Sequence, residues 1–149
     1  MIHTMATLRV RPMTLLDCAE LEALFSEVPG NLDPRAELGQ ELTRSWVACE
    51  VASDRPLGYA LAWLIVDELE LLGLGTLPGA RRRGIARYLL SELVATARAA
   101  GARRVTLEVA RSNSAARALY ASVGFREFNV RKAYYRATGD DALELELGL

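Results

Sequence analysis

The chain is poor in the residues that many enzyme classes use for their chemistry. Among its 149 residues it has one histidine, His3, and two isolated cysteines, Cys18 and Cys49. A lone histidine near the start argues against a Ser-His-Asp triad, a Cys-His dyad and a histidine-rich metal site. The cysteines lack metal-ligand spacing, and two reduced thiols are typical of a cytosolic protein. We therefore expect no metal.

Long apolar segments are also missing. No apolar run approaches the ~20 residues of a membrane-spanning helix, and the first residues lack the apolar core of a signal peptide. The sequence therefore predicts a cytoplasmic protein with no membrane partner. Its length and its ordinary composition, 51% hydrophobic and 25% charged, predict a single globular domain over residues 1–149.

The charges are unevenly distributed, although the formal net charge is only -1. From Arg81 to Arg136 there are thirteen Lys or Arg and three acids, whereas the rest of the chain holds five Arg and sixteen acids. A basic middle between acidic flanks is consistent with a polyanionic ligand for the middle, or with a cationic partner for the flanks. For any single arginine, simple solvation of a helix face remains the alternative.

Hydrophobic periodicity and turn residues predict the order β-α-α-β-β-β-α-β-α-β-β, an α/β domain with a mixed sheet. The predicted helices have an apolar face and cover 14–28, 34–45, 85–100 and 114–123. The predicted strands are bounded by turn residues and cover 7–12, 46–51, 57–66, 68–77, 103–110, 125–131 and 141–149. Thr14 and Asn113 are predicted N-caps, and Gly101 and Gly124 are predicted helix stops.

Residues 78–90, PGARRRGIARYLL, place three arginines where a helix is predicted to begin. The helix macrodipole favours negative charge there, so the arginines suggest a bound anion. Free N–H groups at a helix start can hold a pyrophosphate, and Gly84 would let the backbone approach it closely. The segment lacks G-x-x-x-x-G-K-[ST] and G-x-G-x-x-G, which argues against a nucleotide triphosphatase and a dinucleotide fold. A tight turn with solvated arginines is the alternative.

A carboxylate and a tyrosine twelve residues apart, Glu108 and Tyr120, form the second signal. Glu108 lies in a predicted strand of otherwise small or apolar residues, where a carboxylate must be paired or functional. Tyr120 lies on the helix that follows. The two side chains could serve as general base and general acid. An ion-paired Glu at a strand end and a Tyr packed in the core are the alternatives.

Together these signals resemble the GNAT N-acetyltransferase superfamily. Its phosphate motif, Q/R-x-x-G-x-G/A, is similar to residues 81–86, RRRGIA, where Ala86 replaces the more usual glycine. Its later motif is similar to Asn113, Ala116, Tyr120 and Gly124-Phe125. The segment LEVARSNSAARALYASVGF, followed by RKAYY, resembles the RimI type, the ribosomal-protein-alanine N-acetyltransferases. The resemblance implies a mixed, mostly antiparallel central sheet with helices on both faces.

The resemblance also implies a co-substrate, acetyl-CoA, with no metal, and makes its pyrophosphate the anion at the helix start. The residues implied in its binding are Leu74, Gly75, Thr76, Arg82, Arg83, Gly84, Ile85, Ala86, Arg87 and Asn113. Glu108 is implied as the general base, directly or through a water, and Tyr120 as the acid that protonates the departing thiolate. Gly73 and Gly75 lie within a predicted strand and indicate a bulge or splay that opens the cofactor slot.

The acceptor implied by the resemblance is a primary amine, the N-terminal α-amine of a protein such as a ribosomal protein. Two segments that would line its site depart from the RimI pattern: 28–34 lacks a Pro-Trp pair, and 136–141 is short and lacks proline. A small-molecule amine or a protein lysine remains an open acceptor, as does a non-catalytic acetyl-CoA-binding module. Direct nucleic-acid binding is not expected, because the densest cluster of arginines in the basic stretch, residues 81–83, falls within the cofactor motif. The sequence carries no signal for an oligomeric state.

Overall fold

The computed structural model describes residues 7–26 and 32–149, and this part of the chain forms one seven-stranded sheet with helices on both faces. The strands are β1 (Leu8–Pro12), β2 (Thr43–Glu50), β3 (Pro56–Ile65), β4 (Glu68–Thr76), β5 (Arg104–Ala110), β6 (Arg126–Tyr135) and β7 (Asp140–Gly148). The α-helices are α1 (Cys18–Phe25), α2 (Pro34–Glu37), α3 (Ile85–Ala99) and α4 (Ser114–Val123). None of the described helices is long and apolar enough to cross a membrane.

The predicted element order is confirmed, but the first two helices differ from the prediction. The first begins as a 3₁₀ turn, Leu15–Asp17, and becomes α-helical at Cys18. Its predicted end, 27–28, lies outside the described residues. The second ends at Glu37 instead of 45, because Leu38 is extended and Gly39 has φ +85°. The strand β2 then begins at Thr43 and not at residue 46.

The sheet is mixed and mostly antiparallel, as the resemblance implied. Its strand order is β1-β2-β3-β4-β5-β7-β6, and β4 and β5 form its parallel pair. One core cluster packs α3 and α4 against one face of the sheet, with Leu89, Leu93 and Tyr120 among its members. A second cluster packs α1 against the opposite face, around Tyr59.

The two parallel strands separate after a short paired segment. Pairing joins Glu68–Leu71 of β4 to Arg104–Leu107 of β5 and stops there. On its other side, β4 stays paired with β3, but the register shifts so that Leu71 and Gly73 face consecutive residues of β3. Leu72 is therefore the extra residue of a β-bulge, which confirms the prediction made from the two glycines. The separation leaves a gap between β4 and β5.

Candidate active site

A cavity of about 740 Å³ lies beside this gap, at the start of α3. It is an open cleft bordered by the end of β4, the loop before α3, the first turn of α3 and one side of α4. Its lining residues are Leu74, Gly75, Thr76, Ala80, Arg81, Arg82, Gly84, Ile85, Ala86, Arg87, Asn113, Ala115, Ala116, Leu119 and Tyr120. All residues predicted to bind the cofactor are therefore brought together here except Arg83, which does not line the cavity.

The loop before α3 has a backbone shape that suits an anion. Arg82 has φ +64° and Gly84 has φ +75°, whereas Arg83 between them has no positive φ. Successive backbone N–H groups in a turn with left-handed residues can point toward one side and form an anion-binding concavity. Arg82 adopts the left-handed conformation without the freedom of glycine, so the loop keeps this shape at some cost in strain.

The first turn of α3 adds unused backbone donors. The Tyr88 N–H donates to the Gly84 carbonyl at 2.9 Å, which is the first hydrogen bond of the helix. The N–H groups before it have no acceptor inside the helix; they belong to Ile85, Ala86 and Arg87. The first turn contains no acidic residue that would occupy these donors. An anion at this helix start is therefore favoured by both the N–H groups and the macrodipole.

Gly84 leaves open space above these donors. A Cβ atom at Gly84 would meet no atom within 4 Å, so a larger residue there would not clash with the protein. The glycine is explained by its left-handed φ and by the room that it leaves for a ligand. Arg81, Arg82 and Arg83 form no ion pair with any residue in 7–26 or 32–149. Uncompensated cations, free donors and open space together fit a pyrophosphate.

A second cavity, of about 220 Å³, lies inside the gap between β4 and β5. It shares four lining residues with the larger cavity, so the two adjoin; these are Leu74, Asn113, Ala116 and Tyr120. Glu108 lines the second cavity. The predicted acid and base, which lie on different elements, are thus brought to one place at the end of the larger cavity.

Tyr120 combines a packing role with a free hydroxyl. The residue is 8% exposed, and its ring packs edge-on against Phe125 with ring centroids 5.6 Å apart. Burial raises the pKa of Tyr120 to about 12. Its hydroxyl makes no hydrogen bond with any described residue. The alternative of a tyrosine packed in the core is therefore correct for the ring. The hydroxyl stays protonated at neutral pH and can donate a hydrogen bond to a ligand.

Glu108 has a distant ionic partner. It lies on β5 opposite Glu144 of β7, and Arg131 of β6 stands between the two carboxylates. The Arg131 Nε is 3.8 Å from Glu108 Oε1, whereas it donates a short hydrogen bond to Glu144. The ion-pair alternative is thus present but weak, because the guanidinium is bound mainly to Glu144. The Glu108 carboxylate keeps acceptor capacity on the side of the gap.

Asn113 links the helix α4 to both cavities. Its Oδ1 accepts a hydrogen bond from the Ala116 N–H at 3.2 Å, which confirms the predicted N-cap. Its side-chain amide nitrogen donates to no described residue. The cap therefore fixes the side chain in place and leaves an N–H donor at the junction of the two cavities.

Two further side chains at this site carried no prediction. Tyr135 lines the gap cavity, and burial raises its pKa. It arrives there because β6 is irregular between Arg131 and Tyr135, where Ala133 has φ +47° and its N–H donates to Asp141. Glu70 of β4 lies on the same face of the sheet as Glu108. Both positions depend on strand register, for which the sequence gives no direct signal.

The described residues contain no group of three or more His, Cys, Asp and Glu side chains arranged to hold a metal ion.

The fold and the site together define a class: α/β proteins in which a mixed sheet separates beside a helix start with free backbone N–H groups. Residues 13–125 match the family model described as Acetyltransferase (GNAT) family. The chain belongs to that family. The resemblance found in the phosphate motif and in the later motif is therefore confirmed.

Individual relatives agree with this membership. The chain is 39% identical over 84 residues to the [ribosomal protein bS18]-alanine N-acetyltransferase of Salmonella typhimurium, an alignment that covers 56% of this chain and 57% of that protein. The chain thus spans just over half the length of this curated relative.

Solved structures show the same fold. The ribosomal-protein-S18-alanine N-acetyltransferase from Escherichia coli superposes with a TM-score of 0.82 at 25% identity, covering 95% of this chain and 93% of that one. Arabidopsis thaliana NAA60 in complex with acetyl-CoA superposes with a TM-score of 0.85 at 21% identity, covering 96% and 100%. The second likeness is one of fold alone.

Proposed function

We propose that this protein is a cytoplasmic enzyme that transfers the acetyl group of acetyl-CoA to the N-terminal α-amine of a protein. One observation carries the proposal: the large cavity, lined by Arg81, Arg82 and the first turn of α3, adjoins a gap cavity that both Glu108 and Tyr120 line. Acetyl-CoA matches this arrangement, because its pyrophosphate and its thioester are joined by the long pantetheine arm. The bS18-alanine N-acetyltransferases among its relatives support the acceptor class.

The cavity offers a distinct contact for each part of the co-substrate. The pyrophosphate would accept hydrogen bonds from the free N–H groups at the start of α3 and from Arg82. The pantetheine arm would lie along Leu74–Thr76, where β4 has lost its neighbour β5 and its backbone groups on that edge are open. The Asn113 amide would donate to the same arm. A volume of about 740 Å³ suits a ligand of this size.

The amine must lose its charge before it can attack. An α-amine has a pKa of about 8, whereas that of a lysine is about 10.4, so the α-amine needs less help at neutral pH. Glu108 accepts a proton from the nitrogen, directly or through one water. When bound, acetyl-CoA supplies the thioester carbon that the neutral nitrogen attacks. Backbone N–H groups near Gly75 and Thr76 stabilise negative charge on the carbonyl oxygen.

Tyr120 completes the proton transfers at the sulfur. Its hydroxyl is protonated at neutral pH and has no competing partner among the described residues. A thiolate formed in the same buried place also has its pKa raised, because burial disfavours every anion. The proton therefore passes from the Tyr120 hydroxyl to a thiolate whose pKa is raised by the same burial. No covalent enzyme intermediate is needed.

A coenzyme A release assay over a panel of amines tests the proposal. The panel holds peptides that begin with Ala, Ser, Gly or Met, the same peptides with acetylated N-termini and an internal lysine, and a polyamine. We expect release with the free N-termini and none with the blocked peptides. Release with the polyamine alone would support acetyl transfer but would contradict a protein N-terminus as the acceptor. Acetyl-CoA binding without any release would leave a non-catalytic binding module.

A further inference from the structure

Asp141, near the start of β7, is bound from both neighbouring strands. Its Oδ1 accepts a hydrogen bond from the Ala133 N–H of β6 at 2.9 Å, and its Oδ2 accepts one from the Arg111 Nε at 3.0 Å. Arg111 directly follows β5, and its backbone N–H donates to the Asp141 carbonyl at 2.9 Å. The hydrogen bond from Ala133 is the main cause that lowers the pKa of Asp141. One carboxylate therefore joins β6 to the end of β5.

The part of β6 beside Asp141 does not follow a regular ladder. Arg131 pairs with Ala142, and the next pair joins Tyr135 to Asp140. Residues 132–134 therefore stand opposite Asp141 alone, where a regular ladder has a single residue. The two extra residues draw Tyr135 back along the sheet, because in a regular register it would lie beyond the start of β7.

Ala133 holds this irregularity at a cost in strain. Its φ of +47° lies in the left-handed region, which a residue with a Cβ atom rarely adopts. Its side chain is exposed, so packing of that side chain does not hold the conformation. An extra residue in a bulge also leaves the ladder, so its N–H needs another acceptor. The Asp141 carboxylate supplies that acceptor through a charge-assisted hydrogen bond and offsets the strain.

The irregularity matters because it brings Tyr135 to the gap cavity. The other residues that line this cavity come from β3, β4, β5 and the helix α4 with its N-cap, whereas Tyr135 comes from β6. Glu108 and Tyr120 line the same cavity. Tyr135 does not line the larger cavity. Its position therefore affects the space in which the amine would approach the thioester, and not the place assigned to the pyrophosphate.

A surface ion pair is the alternative role for Asp141. The side chains of Arg111 and Lys132, both near its Oδ2, are 44% and 79% exposed. Ion pairs between exposed side chains contribute little to stability. The contact with Ala133 differs, because it is made to the backbone and fixes the course of the chain. Removal of Arg111 and removal of the Asp141 carboxylate should therefore have different effects.

We propose that Asp141 is a positioning residue for acetyl transfer, an inference that rests on the proposed function. Through the Ala133 N–H, its carboxylate holds the irregular part of β6 that places Tyr135 in the gap cavity. Asp141 itself lines neither cavity. Tyr135 in turn limits the space open to the amine beside Glu108.

The test compares Asp141→Ala with Arg111→Ala, which removes one ion pair of Asp141 and leaves its contact with Ala133. NMR of protein with isotope-labelled tyrosine follows Tyr135, whose resonance is identified by its loss in Tyr135→Phe. We expect Asp141→Ala to move this resonance and to lower the pKa of Tyr135 toward its ordinary value, because burial in the gap raises it. Arg111→Ala should leave both as in the parent.

Activity gives the second readout. In Asp141→Ala, kcat/KM for a peptide beginning with Ala should fall by roughly tenfold to a hundredfold, because misplacement of groups at a site slows the reaction. The acetyl-CoA Kd should stay near that of the parent, since Tyr135 does not line the larger cavity. Ala133→Val tests the same irregularity without loss of a carboxylate. A β-branched residue disfavours a left-handed φ, so this variant should move the Tyr135 resonance in the same way.

Three results would overturn the inference alone: a parental Tyr135 resonance in Asp141→Ala and Ala133→Val, an equal shift in Arg111→Ala, or a moved Tyr135 with parental kcat/KM. A loss of acetyl-CoA affinity as large as the loss of kcat/KM would also overturn it, because it would indicate a general loosening of the site. A parent that transfers no acetyl group to any amine would instead overturn the proposed function. The NMR comparison needs no turnover, so the two failures are distinguishable.

Discussion

A Cβ atom on Gly73 would lie 2.8 Å from the hydroxyl oxygen of Tyr59. Tyr59 is 2% exposed, and its ring packs edge-on against Phe25 with centroids 5.2 Å apart. The Cβ position of Gly75 is 3.1 Å from the same ring. The bulged part of β4 therefore packs directly on Tyr59, and it is this part that borders the gap.

Replacing Gly73 with Ala should destabilise the protein and weaken acetyl-CoA binding together. The new methyl group must displace a buried ring or the bulge, and overpacking of this kind costs about 1–3 kcal/mol. Gly79→Ala is the control, because a Cβ there meets nothing within 4 Å. Urea denaturation and calorimetry measure the two effects. If both variants were equally stable, the Tyr59 side chain would be able to move away from the new methyl group without cost.

Gly84→Ala and Gly101→Ala form a matched pair at the two ends of α3. Both glycines have a left-handed φ, +75° and +79°, and neither Cβ would meet an atom within 4 Å. Each change should therefore cost about 1–2 kcal/mol of stability through strain. Only Gly84→Ala should also weaken acetyl-CoA binding, because its methyl group enters the space assigned to the pyrophosphate. If calorimetry gave the two variants equal affinities for acetyl-CoA, the pyrophosphate would not bind at this loop.

Arg82 and Arg83 should differ although they are neighbours. Arg82 lines the large cavity and Arg83 does not. Arg82→Ala should weaken acetyl-CoA binding by several-fold more than Arg83→Ala does. The difference should shrink as salt is raised, because screening weakens charge pairing. A larger loss in Arg83→Ala would mean that the ligand reorders the loop.

Tyr120→Phe should separate packing from chemistry. The ring stays against Phe125, and the lost hydroxyl makes no hydrogen bond with a described residue, so the melting temperature should hardly change. If Tyr120 protonates the thiolate, kcat should fall by roughly tenfold to a thousandfold. An acyl donor with a more acidic leaving thiol should recover part of the rate. Full activity with acetyl-CoA would exclude Tyr120 from the mechanism.

The regular parts of the fold and the local parts of the site could be predicted from sequence because they depend on neighbours along the chain. The helix α3 follows from an i, i+4 apolar pattern and a stop at Gly101, and the cap of α4 follows from Asn113. The bulge was indicated by Gly73 and Gly75, which are unusual within a strand.

Tertiary contacts explain what the sequence pattern missed. The predicted second helix was too long because the Glu37 carboxylate accepts from Thr43 and Trp63 on the sheet, which the periodicity of 34–45 does not reveal. Glu70 and Tyr135 reach the site through strand register and an irregularity in β6. Arg81 and Arg82 line the cavity and Arg83 does not, and the run of three arginines by itself does not show this difference.

Mass mapping of one doubly reactive peptide tests the central claim most directly. The peptide carries a free N-terminal Ala and an internal lysine, and it is incubated with the protein and acetyl-CoA at pH 7. We expect a single acetyl group on the α-amine, formed at a rate that Glu108→Gln lowers by about 10²–10⁴. An acetyl group on the lysine alone, or no acetylated product while acetyl-CoA is bound, would contradict the account.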